Sequence, residues 1–371
     1  MKLPLCASII LCLASNSLAQ NAQAVGTLFQ VDFTTNNGGG CQYAGQTTMQ
    51  NNLQDALGLL TVGAQLVTDY GNDVGEARRL LDSFFEVESP PMTAAQLQAI
   101  GTAYSRVANW IQNGGAVNNG QETGTPYLFC YHNWLQKYSM KDAALDTAGE
   151  TYPNIYTGTE MLLNEEQMYI TRQKQETTAL KGTNAVPYWS SKHKAYIFDR
   201  GYVSSANAGA CSGPGYLGVT QHSLSPSSIT LCPKGLGATA NANTPANLAT
   251  AHYVGRRSVA ANPVPKADVP KGTANSNFQQ LSALLPSATT FLHEMFHLVL
   301  GNDVSYPTVG EVYYLFTGRG VPQVVGLNYE YAVANPESYA LAAIAYDYTL
   351  ANGANADGDR VEFFSGYTTQ G

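Results

Sequence analysis

Apolar residues in the first third of the chain recur at helical spacing. From 49 to 67, Met49, Leu53, Leu57, Leu60 and Val67 fall three, four or seven apart, which predicts a helix with one buried face. A second helical stretch covers about 73–86 through Ala77, Leu80, Leu81 and Phe84. After the Ser89-Pro90-Pro91 break, Thr93 and Gln96 stand at capping-box spacing and open a third, with Leu97, Ile100, Tyr104, Val107 and Ile111 facing inward. Residues 20–124 are thus expected to be a helical N-terminal region, either a propeptide or a structural part of the body. Within it the dibasic Arg78-Arg79 falls mid-helix, where a solvated face is expected rather than a processing site.

The pattern then changes. Between about 125 and 235 the runs AYIFDRG (195–201), GYLGVTQ (215–221) and SITLCP (228–233) are short, strand-like and separated by Gly, Ser and Pro clusters. They read as strands of one sheet. Residues 236–285 lose hydrophobic periodicity and gather Arg256, Arg257, Lys266 and Lys271, which predicts a long exposed loop. A final apolar segment opens at Pro286-Ser287, with Ser287 as the expected N-cap, and runs through LHEMFHLVL to Gly301, a helix-ending residue. Helices segregated from strands in this way indicate the α+β class.

The start of the chain carries an address. Lys2, the apolar run Leu5 to Ala14 and Ser17-Leu18-Ala19 have the layout of a secretory signal over 1–19, and the run is too short for a span of about 20 residues. A secreted, extracellular protein beginning near Gln20 is expected, with no membrane partner. Cys41, Cys130, Cys211 and Cys232 remain after that cut and suggest two disulfides. Of three possible pairings, Cys41–Cys130 with Cys211–Cys232 is favoured. No Asn-x-Ser/Thr occurs after residue 19, so N-glycosylation is not expected.

Composition narrows the partners. Charged residues make up 12% of the 371, against about 25% in an average domain. Lys and Arg number 19 against 27 Asp and Glu, a net charge of -8 that offers no footprint for nucleic acid. Asn, Gln, Ser, Thr, Gly and 23 tyrosines supply a polar uncharged surface that suits an extracellular monomer.

The chemistry lies in His293-Glu294-Met295-Phe296-His297. Two histidines four apart on a helix lie on one side, one turn apart, so both imidazoles reach one ion, while the adjacent glutamate projects beside it without binding. This is the HExxH zinc signature. Its apolar flanks, among them Phe291, Leu292, Phe296 and Leu298, would bury the helix and dry the metal's surroundings. His132, His193, His222 and His252 stand in no ligand spacing and are expected to be ordinary hydrogen-bonding histidines. A catalytic site needs a third protein ligand and an open fourth position. Asp303, six residues after His297, matches the ligand position of the metzincin pattern, but Leu300 stands where that pattern needs glycine. Glu311, in Pro307-Thr308-Val309-Gly310-Glu311-Val312-Tyr313-Tyr314, is the other candidate.

Taken with HEMFH, the SITLCP strand before it and Asn335-Pro336-Glu337-Ser338-Tyr339-Ala340-Leu341 after it, the chain resembles the aspzincins over roughly 190–350. These deuterolysin and peptidyl-Lys metalloendopeptidases, mostly fungal and secreted, follow HExxH with GTxDxxYG and later with an NxxSYALFA-like helix. The resemblance places Glu311 on the ligand aspartate and Tyr314 on the motif's tyrosine. It departs from the family in having glutamate for aspartate, no preceding Gly-Thr, and an N-terminal half with no counterpart. Asp303-Val304-Ser305-Tyr306 also fits DxxY, so the third ligand stays open between Glu311 and Asp303, with later acids such as Glu337 behind them.

The resemblance implies a zincin-like catalytic domain over 125–371, with a mixed sheet and an HExxH helix, that binds one Zn2+ and cleaves protein or peptide substrates. Glu294 would be the general base, and Tyr314 or Tyr306 would donate to the oxyanion. Strands 215–221 and 228–233 would take an extended peptide at the sheet edge. The alternative is a secreted zinc-binding protein of the same architecture without proteolysis, which would need no general base beside its histidines. Asn335 as N-cap and Pro336 at the first helical position make NPESYAL, read alone, a well-capped packing helix beneath the site.

Overall fold

A short helical turn, α1 (Val25–Leu28), leads into three longer helices, α2 (Gln46–Gly71), α3 (Gly75–Phe84) and α4 (Ala94–Asn113). The computed structural model describes residues 21–87, 91–117, 124–202, 209–213, 216–236, 281, 285–301, 311–312, 323–352, 361–362 and 369–370. The 1–19 address and nearly all of the expected 236–285 loop lie outside them.

The helices bury the faces that periodicity marks: Met49, Leu53, Leu57 and Leu60 on α2, Ala77, Leu80, Leu81 and Phe84 on α3. On α4, Thr93 and Gln96 close the capping box from both sides, each side chain accepting from the other's backbone N–H. Helix α4 crosses α2 closely at Gly63, where a Cβ would lie 2.2 Å from the Tyr104 ring.

Six short strands follow: β1 (Tyr127–Phe129), β2 (Leu135–Lys137), β3 (Ala185–Ser190), β4 (Ala195–Arg200), β5 (Gly218–Gln221) and β6 (Ser228–Leu231). They form two sheets, not the one expected. In the order β1-β6-β5, β1 runs parallel and β5 antiparallel to β6. In the order β2-β3-β4 all pairings are antiparallel. The 195–201 run therefore belongs with β3, which Pro187 disguises because it interrupts the strand pattern. The strand-like region also contains a helix, α5 (Gln167–Ala179). It buries none of its residues, so it has no apolar period by which it could be foreseen.

Helix α6 (Thr289–Leu300) carries HEMFH and has only His297 short of full burial. It starts later than expected: Ala288 stands at the N-cap, and the Ser287 hydroxyl instead donates to Asn52 Oδ1. It ends at Gly301 with φ 59, a conformation that glycine adopts without strain. The chain then forms α7 (Tyr329–Ala332), α8 (Pro336–Asn352) and a small antiparallel pair, β7 (Val361–Glu362) with β8 (Thr369–Gln370).

Helix α6 packs against β5 and β6 on one side and α2, α4 and α8 on the other. One hydrophobic cluster joins Val25 to Tyr348, so the N-terminal helices and the HEMFH helix share a core. Tyr104 Oη donates to the carbonyl of Tyr339, and Tyr346 Oη to Asp69 Oδ2, tying the two ends of the chain together. The disulfides are Cys41–Cys130 and Cys211–Cys232, the favoured pairing. Such bonds suit an oxidising compartment. Among the described residues no helix is long and apolar enough to cross a membrane.

Candidate metal centre

Helix α6 sets His293 and His297 one turn apart, with ring centroids separated by 5.1 Å. Both turn Nε2 toward Glu311, whose Oε1 lies 2.8 Å from His293 Nε2 and 2.7 Å from His297 Nε2. The three donor atoms lie within 4.8 Å of one another, and this group can hold a metal ion. Two imidazole nitrogens and one carboxylate oxygen are a donor set that zinc accepts, leaving a position for water.

Glu311 itself is in neither helix nor strand, and its neighbour Val312 is gripped by Asn335. Asn335 Oδ1 accepts from Val312 N at 3.2 Å, and its Nδ2 donates to Val312 O at 3.1 Å. Pro336 begins α8 as expected, yet the Asn335 amide is spent on this other segment and on Ser338 Oγ, not on capping its own helix. Two residues on, Glu337 Oε2 takes the Nδ1 hydrogen of His293 at 2.8 Å. NPESYAL is therefore more than a packing helix: its first turn touches both segments that bear the candidate ligands, α6 and 311–312.

The site is buried and acidic. His293 and Glu294 are 6% and 4% exposed. Glu294, Glu311 and Glu337 surround two imidazoles, so with neutral rings the cluster holds three uncompensated carboxylates, which a buried site tolerates poorly. The electrostatics reflect this. Burial pushes the His293 pKa down, but the charges and hydrogen bonds of Glu311 and Glu337 hold it well above its ordinary value. Burial likewise raises Glu311, yet His293 and His297 hold its carboxyl well below the carboxylate range. Positive charge where these atoms meet is favourable, and a divalent cation is one species that can supply it in place of protons.

The Glu294 carboxylate, outside the ligand group, reaches β5. Thr220 Oγ1 donates to Glu294 Oε2 at 2.7 Å and lies 3.2 Å from the Glu294 carbonyl oxygen. A Cβ on Gly218 would fall 2.7 Å from Glu294 Oε1, so glycine there leaves the carboxylate its room. Burial raises the Glu294 pKa, against the lowering effect of the histidines and the Thr220 hydroxyl. Past the strand, His222 Nε2 donates to the carbonyl of His297 at 2.8 Å while its Nδ1 accepts from Ser227 Oγ at 2.7 Å. Positions 218, 220 and 222 share one face at strand spacing, and all three meet α6.

Of the residues nominated from sequence, the structure brings together His293, Glu294, His297 and Glu311. Glu337 lies at the opposite nitrogen of His293, outside the ligand group. Asp303, Tyr306 and Tyr314 lie outside the described residues, as does His252. His193 bonds to Ser190 Oγ and the Pro226 carbonyl, and His132 to Ser212 Oγ, both away from the centre. Sequence reading missed Thr220 and Gly218, while His222 is the hydrogen-bonding histidine expected, bound to α6. The signal for the first two was the alternation Gly-x-Thr-x-His leaving a strand, which becomes informative only once that strand is known to border α6. In comparisons with protein-family models, curated proteins and solved structures, nothing matches this chain.

Proposed function

We propose that the chain is a secreted zinc endopeptidase of zincin architecture, akin to the aspzincins. The observation that carries the reading is the convergence of His293 Nε2, His297 Nε2 and Glu311 Oε1 beside a buried glutamate that belongs to the same helix but is no ligand. A site that only stored metal would have no use for Glu294. The two disulfides and the absence of a membrane-spanning helix among the described residues are in keeping with an extracellular location.

Zinc bound by His293, His297 and Glu311 would supply a Lewis acid and a water acidic enough to act near neutral pH. The chain's own groups do the rest. Glu294, held through Oε2 by Thr220, keeps Oε1 for the proton of the attacking water and passes that proton to the leaving amine. Its raised pKa suits a group that must both take and return a proton. Strand β5, at the edge of its sheet among the described residues and against Glu294, would receive an extended peptide by main-chain pairing. That mode reads backbone and favours internal cleavage.

The test is cleavage of a mixed peptide library by the mature protein and by Glu294→Gln, with zinc content determined for both. Cleavage by the wild type, lost in a variant that still carries stoichiometric zinc, is the expected result. A fully metallated, folded wild type that cuts nothing would overturn the peptidase reading and leave the non-catalytic zinc protein.

A further inference from the structure

The first turn of α8 carries two polar side chains that serve another segment. Glu337 fixes His293: its Oε2 lies 2.8 Å from Nδ1, which holds the ring so that Nε2 faces the ligand position. Asn335 fixes Glu311 indirectly. Its donor and acceptor engage both backbone polar groups of Val312, as a neighbouring strand would, and a third bond to Ser338 Oγ at 3.1 Å holds the amide plane. Asn335 is 3% exposed, so breaking this clamp would strand buried polar groups.

Resting on the zinc reading above, we propose that the Asn335–Glu337 turn is the positioning shell of the metal centre. Glu337 sets the ring orientation of His293, Asn335 sets the backbone that delivers Glu311, and together they set the affinity for zinc. Neither touches the metal or the reacting atoms. The reason for a dedicated shell lies in Glu311 itself. It belongs to no helix or strand, so without an external clamp its ordering would be charged against metal binding. One helical turn reaching two ligands also keeps them in fixed relation, because the turn is rigid where segment 311–312 is not regular.

The test is zinc titration against a competing chelator for the full-length wild type, Glu337→Gln and Asn335→Ser. Melting curves of the metal-free proteins and visible spectra of their cobalt(II) forms accompany it. Each variant is expected to bind zinc about 10- to 100-fold more weakly with altered cobalt bands, the metal-free melt staying close to wild type in Glu337→Gln and falling modestly, without collapse, in Asn335→Ser. Glu337→Asp, which keeps the carboxylate, should recover part of the loss. Wild-type affinity and spectra in both variants would overturn the inference while leaving the metal reading intact. Weak binding that merely tracks a collapsed metal-free melt would also overturn it, assigning the turn to the fold alone. The two substitutions act on different ligands, so if one variant fails to fold, the other decides. A wild type that takes up no zinc would instead sink the metal reading itself.

Discussion

Thr220 donates its hydroxyl hydrogen to Oε2 of Glu294 across the seam between the edge strand β5 and the ligand helix α6. The bond joins the strand proposed to hold substrate to the group proposed to move the proton. A hydrogen bond to a charged group contributes about 1.5–3 kcal/mol. Thr220→Val, which keeps the shape and deletes the donor, should therefore lower kcat by about 10- to 100-fold at unchanged zinc content. KM should move little, because a peptide pairing with the strand engages its backbone. A fall in zinc content parallel to the fall in rate would refute this division of labour.

Gly218→Ala tests the same carboxylate by crowding. The added methyl would sit 2.7 Å from Glu294 Oε1, so the side chain must turn. Overpacking of this kind costs about 1–3 kcal/mol. Activity should fall further than the melting temperature implies, and Gly218→Ala activity equal to wild type would show that Oε1 has no fixed place in the reaction.

Removal of the metal should be felt as stability. A ligand bound only by the folded state adds about 2.7 kcal/mol at a hundredfold excess over Kd. Chelation should lower the melting temperature and readdition of zinc restore it, whereas His297→Ala should melt at one temperature with or without zinc.

His193 offers a pH test away from the metal. Burial lowers its pKa below the ordinary 6.5, against the raising effect of the Pro226 carbonyl. The unfolded chain therefore binds the proton more readily than the native one. This contribution to stability is fully present above pH about 6.5 and is lost as pH falls below it toward the depressed native value. Urea midpoints at pH 7.5 and 5.5 should differ less in His193→Gln than in wild type, and equal differences would exclude the residue.

Tyr104 probes the union of the two halves. Its hydroxyl, buried between α4 and α8, donates to the Tyr339 carbonyl at 2.8 Å. Tyr104→Phe should cost about 0.5–1.5 kcal/mol in a single cooperative transition, the ordinary worth of one hydrogen bond, because the carbonyl lies within α8 and keeps its helical partner. Two separate transitions in wild type would contradict the shared core.

Much of this was legible in the chain because it was written at one period. Helices α2, α3, α4 and α6 each bury a continuous face, so their apolar spacing announces them, and Thr93 with Gln96 marks a boundary by local chemistry alone. Helix α5 buries nothing, and β3 contains Pro187, so neither carries such a mark. The same division runs through the site. His293, Glu294 and His297 have a fixed spacing because one helix supplies them. Thr220, Asn335 and Glu337 reach them across 74, 23 and 44 positions of sequence, to Glu294, Val312 and His293 respectively, and no periodicity encodes such distances.

The core that encloses α6 has a consequence for how the molecule comes into being. Its walls are α2 and α4, which precede α6 by well over a hundred residues, and α8, which follows it, so the contacts of α6 with α2 and α4 close long stretches of chain at a cost in entropy before any burial rewards it. As the chain emerges from N- to C-terminus, Tyr104 and Asp69 wait for the partners that α8 brings, Tyr339 and Tyr346. Glu311, Asn335 and Glu337 arrive in that same last stretch. The contacts that hold the candidate ligands are thus completed only when α8 docks, and a chain stalled before α8 would carry HEMFH and Glu311 without the Asn335 and Glu337 bonds that fix them.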